Sequence, residues 1–234
     1  MRRKLLAQIV ITSVVAAVLA LPFYGEQPGS GHWVSAWSTA VHTPLPFPGL
    51  PPSPVFENQT LRMVMRPTIG GQRLRVRFSN EFGTTALKIG AAHVALTSKG
   101  AGIVPDSDHT LTFGGRSSVT VPPGAPVLSD PVDVKLAPFT EVAVSIYLPE
   151  KTTSSTVHFW AQHDTYVSGP GDFTAKADIP NPTTKTSWYF LADAEVWAPW
   201  RTDSAVLKAE PISQITPADV FEKLHTLLAA GACQ

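Results

Sequence analysis

The chain has a single cysteine in 234 residues, Cys233, next to the C-terminus. One thiol cannot close an intrachain disulfide, so whatever folds here is held by its core. In an oxidising compartment Cys233 can pair between chains; an incidental tail residue is the plainer reading. Charge is scarce as well: charged residues make up 15%, with 18 basic against 18 acidic. Without Arg2, Arg3 and Lys4 the balance is 15 basic to 18 acidic, a net −3. Nucleic-acid binding depends on a basic surplus, so no nucleic-acid partner is expected. No Cys/His cluster has zinc spacing, so neither a metal nor a cofactor is expected. There is no strand–helix alternation and no internal repeat.

What is present begins with an export signal. Met1-Arg2-Arg3-Lys4 is a basic start, and an uncharged apolar run follows from Leu5 to Leu21. Val18-Leu19-Ala20 ends on a small residue, and Pro22 follows. That order reads as a cleaved secretory signal peptide over 1–20, with cleavage near Ala20 and a secreted or periplasmic mature chain. If uncleaved, the segment is at the short edge of what spans a bilayer, and it is the one route to a membrane.

The mature part reads as all-β. Hydrophobic residues reach 44%, with 22 prolines and 16 glycines scattered between apolar runs. Scattered Pro and Gly mark turns between short strands. Residues 21–31 read as a flexible lead-in, 32–207 as the β domain, and 208–234 as a linker and helix. Strands are predicted over 32–39, 61–66, 73–78, 86–96, 110–113, 118–121, 132–136, 141–148, 156–163, 187–196 and 205–207. The cleanest is the alternation of Leu74, Val76 and Phe78 with Arg73, Arg75 and Arg77. Gly70-Gly71 predicts a hairpin joining this run to the one before it. Pro44, Pro46, Pro48, Pro51, Pro52 and Pro54 exclude helix and ladder alike from a long loop. About ten short strands imply a β-sandwich or jelly roll. One amphipathic helix closes the chain: Thr216 as N-cap, Pro217 at the first position, Asp219 in the first turn, then Val220, Phe221, Leu224, Leu227 and Leu228 on one face, and Gly231 as a stop.

Residues 33–207 resemble a known region. WVSAWSTA (33–40), QTLRMVMRPTIGGQRLRVRFSNEFG (59–83), LTFGG (111–115), PPGAPVLSDPV (122–132), VAVSIYLP (142–149), the block from Thr156 to Val167 and SWYFLADAEVWAP (187–199) carry the likeness. It is similar to the N-terminal β-sandwich of secreted bacterial esterases of the SGNH (GDSL-like) family. The resemblance implies that a Gly-Asp-Ser nucleophile motif follows the sandwich. Here Asp203-Ser204-Ala205-Val206-Leu207 leads into Lys208-Ala209-Glu210-Pro211 instead, so no residue inherits the family's catalytic role.

The residues themselves give no activated nucleophile. There is no Gly-x-Ser-x-Gly, and Asp203-Ser204 follows Thr202 rather than Gly. Asp106-Ser107-Asp108-His109 spells Asp-x-x-His, but in a polar loop; Asp106 and Asp108 also suit a structural calcium, against a solvated turn as default. His158 and His163, five apart, fall on opposite faces of a strand. Arg62, Arg66, Arg73, Arg75 and Arg77 are expected on a solvated face, the alternative being a grip on carboxylates or anionic sugars. Trp33 and Trp37 are expected to share a core face. Trp160 and Trp188 are the candidates for stacking on a sugar. Trp197, Trp200, Phe221, Leu224 and Leu228 are the candidate interface, with the helix folding back onto the sandwich. The expected function is an exported non-catalytic module that binds polysaccharide, cell-wall material or a separate catalytic chain. The alternative is a truncated or partner-dependent esterase of the same class.

Overall fold

The computed structural model describes residues 32–44 and 53–198, and in the tail 216, 218–222 and 225. The chain divides into two units, Gly31–Pro199 and the two chain ends. The expected signal segment and cleavage point at Ala20, most of the expected proline-rich loop and the strand expected at 205–207 lie outside the described residues.

The described part of Gly31–Pro199 contains seventeen strands. They are β1 (His32–Ser38), β2 (Val55–Phe56), β3 (Gln59–Met65), β4 (Gly71–Ser79), β5 (Leu87–Ile89), β6 (Ala91–Leu96), β7 (His109–Thr110), β8 (Val119–Val121) and β9 (Pro126–Leu128). There follow β10 (Val132–Leu136), β11 (Val142–Leu148), β12 (Thr152–Thr153), β13 (Val157–His158), β14 (Thr165–Pro170), β15 (Thr183–Lys185), β16 (Trp188–Tyr189) and β17 (Leu191–Ala198). One five-stranded sheet runs β1-β17-β4-β10, with β9 also on β4, and a six-stranded sheet runs β15-β14-β3-β11-β6-β7. Every pairing is antiparallel. The fold is the expected all-β sandwich, with more and shorter strands than the period-two runs predict.

The alternation in β4 explains the core. Leu74, Val76 and Phe78 are fully buried. They join Leu61, Met63 and Met65 of β3, Val142, Val144 and Ile146 of β11, and Ala194 and Val196 of β17 in one apolar cluster between the sheets. Each such side chain contributes about 1.5–3 kcal/mol on burial. Arg73, Arg75 and Arg77 face outward, and Arg75 and Arg77 both pair with Glu195, at 2.5 and 3.2 Å.

Several local expectations are corrected. β3 and β4 are not a hairpin: they belong to different sheets. Gly70 and Gly71 turn a corner where a Cβ would collide with the Leu136 carbonyl at 2.5 Å and the Trp197 carbonyl at 2.7 Å. The arginines of the two strands therefore never share a face. The run 86–96 breaks at Gly90, which lies so close to Tyr147 that a Cβ would come within 2.9 Å of its ring. The run 187–196 breaks at Phe190, whose φ is +62°. Trp33 and Trp37 do not share a face either. A bulge between Ser35 and Trp37 shifts the register against β17. Trp33 faces outward under the Arg75 guanidinium, 4.2 Å from its ring centre, and Trp37 packs edge-on to Trp188 at 4.7 Å.

The arginine expectation fails most plainly at Arg62. Its side chain is among the largest that are fully buried, at 1% exposure. It does point to the outer face of the six-stranded sheet, in a cross-strand row with Tyr166, Ser145 and His93. That face is covered. Arg62 Nε donates to Ser145 Oγ at 2.9 Å, Nη1 to the Ala101 carbonyl, and Nη2 to the carbonyls of Phe173, Thr174 and Lys176 at 3.0, 3.3 and 2.8 Å. One guanidinium thus ties segments 97–103 and 171–179 down over the sheet. Burial lowers its pKa, and the charges of Asp108 and Asp178 oppose that shift.

In the tail unit, residues 218–222 and 225 are helical. The Thr216 amide and hydroxyl both donate to Asp219 Oδ2 at 2.7 Å, and the Asp219 amide returns to Thr216 Oγ1 at 3.3 Å. Thr216 caps the helix as the sequence predicts, and Asp219, expected only as a first-turn acid, makes the cap reciprocal.

Candidate functional site

The stretch expected as a strand over 156–163 is a strand only at Val157–His158. The backbone then leaves extended geometry: φ is +53° at Trp160 and +57° at Gln162. For residues with a Cβ each such excursion costs about 1–2 kcal/mol. Surrounding bonds hold it. The Val157 and His42 backbones exchange two hydrogen bonds, of 3.0 and 2.8 Å. The His158 Nδ1–H donates to the Ala40 carbonyl at 2.9 Å, and the buried Ala161 donates its amide to the Thr186 carbonyl at 2.8 Å. Ala161 is pinned inward and Trp160 is turned outward, 66% exposed.

Trp188 has the opposite placement. It is buried, and its indole N–H donates to the Val64 carbonyl at 2.7 Å. The rings of His158 and His163 stack on it at 5.6 and 6.2 Å. Of the two tryptophans singled out by sequence, Trp160 is presented to solvent and Trp188 forms the floor on which its loop rests. His158 and His163 meet at that floor because the loop bends between them.

Next to the loop lies an open cavity of about 260 Å³. Thr97, Ser98 and Gly100 line it from the turn that Arg62 holds, Glu141 from the start of β11, and Gln162, His163, Asp164 and Tyr166 from the loop and β14. Tyr166 Oη donates to Asp164 Oδ2 at 3.1 Å. The phenol is pushed above its ordinary pKa, first by burial, then by that bond and by the charges of Asp164 and Glu141. Phe139, two residues before Glu141 in sequence, is 59% exposed and has φ +63°. The sequence offers little warning of these residues, which come from three separate turns. The one local cue is the polar triplet Gln162-His163-Asp164 following two aromatics.

A second polar cluster involves the Asp-x-x-His stretch, though not as spelled. Asp108 Oδ2 accepts from Nδ1–H of His93 across the sheet at 2.9 Å, not from His109. His93 Nε2 lies 3.5 Å from the Thr110 hydroxyl. Ser107 is engaged with the Leu96 amide and the Val104 carbonyl, at 2.8 and 2.6 Å. Among the described residues no group of three or more His, Cys, Asp or Glu side chains is arranged to hold a metal ion.

Of the candidate interface residues, Trp197 lies on the outer face of the five-stranded sheet, edge-on to Trp33 at 5.6 Å. Phe221 in the tail unit is 69% exposed. Trp200, Leu224 and Leu228 lie outside the described residues. In comparisons with known proteins, no family model and no curated protein matches the chain.

Proposed function

We propose that the mature chain is an exported, non-catalytic β-sandwich module that binds cell-wall or other extracellular carbohydrate through the 159–164 loop, and that it is related to the ancillary sandwich of SGNH-type esterases. The observation that carries this reading is Trp160: a large aromatic, 66% exposed, held outward by a left-handed backbone in a loop whose residues 162–164 line a polar cavity. An aromatic platform stacks on the apolar face of a sugar while neighbouring polar groups take its hydroxyls. A glycan-binding screen with the wild type and Trp160→Ala tests it. Wild-type binding that the variant loses supports the reading, and unchanged binding refutes it. N-terminal sequencing of extracellular or periplasmic material tests export; a chain starting just after Ala20 is expected, and an intact Met1 in the cytoplasm overturns it.

The alternative, an esterase active alone or with a partner chain, has one observation in its favour. Asp108, His93 and Thr110 are connected in the order acid, base, hydroxyl. The hydroxyl contact is long at 3.5 Å, and Thr110 sits on a regular strand rather than the tight turn that exposes a nucleophile. No turnover of p-nitrophenyl acetate is therefore expected. Hydrolysis that a serine-directed organophosphate or Thr110→Val abolishes would establish the alternative instead.

A further inference from the structure

The cavity lined by residues 162–164 has a charge character that narrows its ligand. Glu141 and Asp164 both line it, and both are solvent-exposed. None of the described lining residues is Lys or Arg. The Tyr166 phenol, which also lines the cavity, is raised first by burial, with the charges of Asp164 and Glu141 adding to the same direction. An ionised carboxylate only accepts hydrogen bonds, and an aromatic face attracts cations. The lining residues Gln162 and Glu141 each follow an exposed ring by two residues, Trp160 and Phe139, so the two turns that supply the cavity's wall also present aromatics to solvent. Thr97, Ser98 and Gln162 add hydroxyl and amide groups suited to sugar hydroxyls. A ligand bearing carboxylate or phosphate meets repulsion here. A pyranose with a flat apolar face and a protonated amine meets a complement in the rings, the carboxylates and the neutral polar groups.

We infer that this cavity is a subsite for an amino sugar, a pyranose carrying a free ammonium group within an oligosaccharide; the inference rests on the carbohydrate reading above. The ammonium lies against Glu141 and Asp164, and Trp160 stacks on the chain. An N-acetylated or unsubstituted sugar keeps the stacking and loses the charge pairing.

Calorimetric titration of the full mature chain tests this with three probes: the glucosamine tetramer, the N-acetylglucosamine tetramer and cellotetraose. The glucosamine tetramer is expected to bind tightest, by roughly five- to twentyfold, as two solvent-exposed ion pairs allow. Glu141→Gln and Asp164→Asn are each expected to weaken it by about two- to fivefold and to narrow its preference over cellotetraose. Both are near-isosteric changes at exposed positions, and an unaltered near-ultraviolet circular dichroism spectrum checks the fold. Trp160→Ala is expected to weaken all three probes. Equal binding of the three tetramers, or a glucosamine preference that survives the double Glu141→Gln/Asp164→Asn change, overturns the inference. In the case of equal, Trp160-dependent binding the carbohydrate reading stands and only the amino-sugar subsite falls. If none of the three binds, both fall.

Discussion

Replacing Arg62 by methionine removes a donor set that no other residue supplies. The methionine fills much of the space but leaves the Ser145 hydroxyl and the carbonyls of Ala101, Thr174 and Lys176 without the guanidinium, while the Phe173 carbonyl keeps only the Lys176 amide at 3.0 Å. The bonds to Ser145, Ala101 and Thr174 are fully buried, while those to Phe173 and Lys176 are partly open to water. Each buried acceptor left unsatisfied costs about 1–3 kcal/mol. Against this stands the relief of no longer burying a charge, worth several kcal/mol in the other direction when the replacement packs well. Because the acceptors remain after the substitution, the loss dominates, and a net destabilisation of about 3–5 kcal/mol is expected. Urea unfolding measures it through the transition midpoint at constant slope. Hydrogen exchange locates it: amides in 97–103 and 171–179 lose protection before those of β3 and β11. Arg62→Lys is expected to behave almost as badly, since one ammonium cannot span both segments. A loss below about 1 kcal/mol, with unchanged protection in both segments, refutes the reasoning.

Three further outcomes follow from the same structure. Trp188→Phe strands the buried Val64 carbonyl and leaves a gap under the 159–164 loop; a loss of about 2–4 kcal/mol in denaturant unfolding is expected, together with weaker glycan binding. The Asp130 carboxyl is held below its ordinary pKa by the Gly115 amide, the Thr112 hydroxyl and the Gly114 amide. Its contribution is therefore present above the unfolded pKa and lost as pH falls through the lower folded value, so Asp130→Asn should flatten the acid limb of stability against pH. Asp193 is shifted the other way: burial raises its pKa, against the bond from Ser35. The stability linked to its protonation is complete below the unfolded pKa and is lost as pH rises through the higher folded value, so Asp193→Asn should narrow the difference in stability between mildly acidic and neutral pH.

The sequence displays what local alternation controls and hides what distant segments supply. β4 is legible because one of its faces meets the core and the other meets water. β3 alternates less cleanly, with the apolar Val64 in the same outward row as Arg62, and nothing near Arg62 in the sequence announces that segments 97–103 and 171–179 fold over it. The hairpin reading of Gly70-Gly71 fails because two glycines serve a corner between sheets as well as a turn within one. Phe190 and Trp160 break their strands through a positive φ that their side chains disfavour, so no propensity rule marks them. Trp160 is legible as an aromatic in a His- and Gln-containing polar stretch. Trp188 misleads because a half-polar ring suits a buried carbonyl as well as a ligand. The cavity is illegible for a geometric reason: Ser98, Glu141 and Asp164 meet only once β6, β11, β3 and β14 lie side by side.

β1 and β17 bear on how the domain responds to force. His32 pairs with Ala198, so the sandwich is entered and left at neighbouring points of two antiparallel strands. In such a ladder the hydrogen bonds run across the strands, perpendicular to them. Tension between the two points loads the His32–Ala198 end first and opens the bonds in succession, as a zipper opens, instead of shearing the whole ladder at once. Pulled apart between these two points, the domain would yield by peeling β1, the strand that carries Trp33 and Trp37, away from the rest.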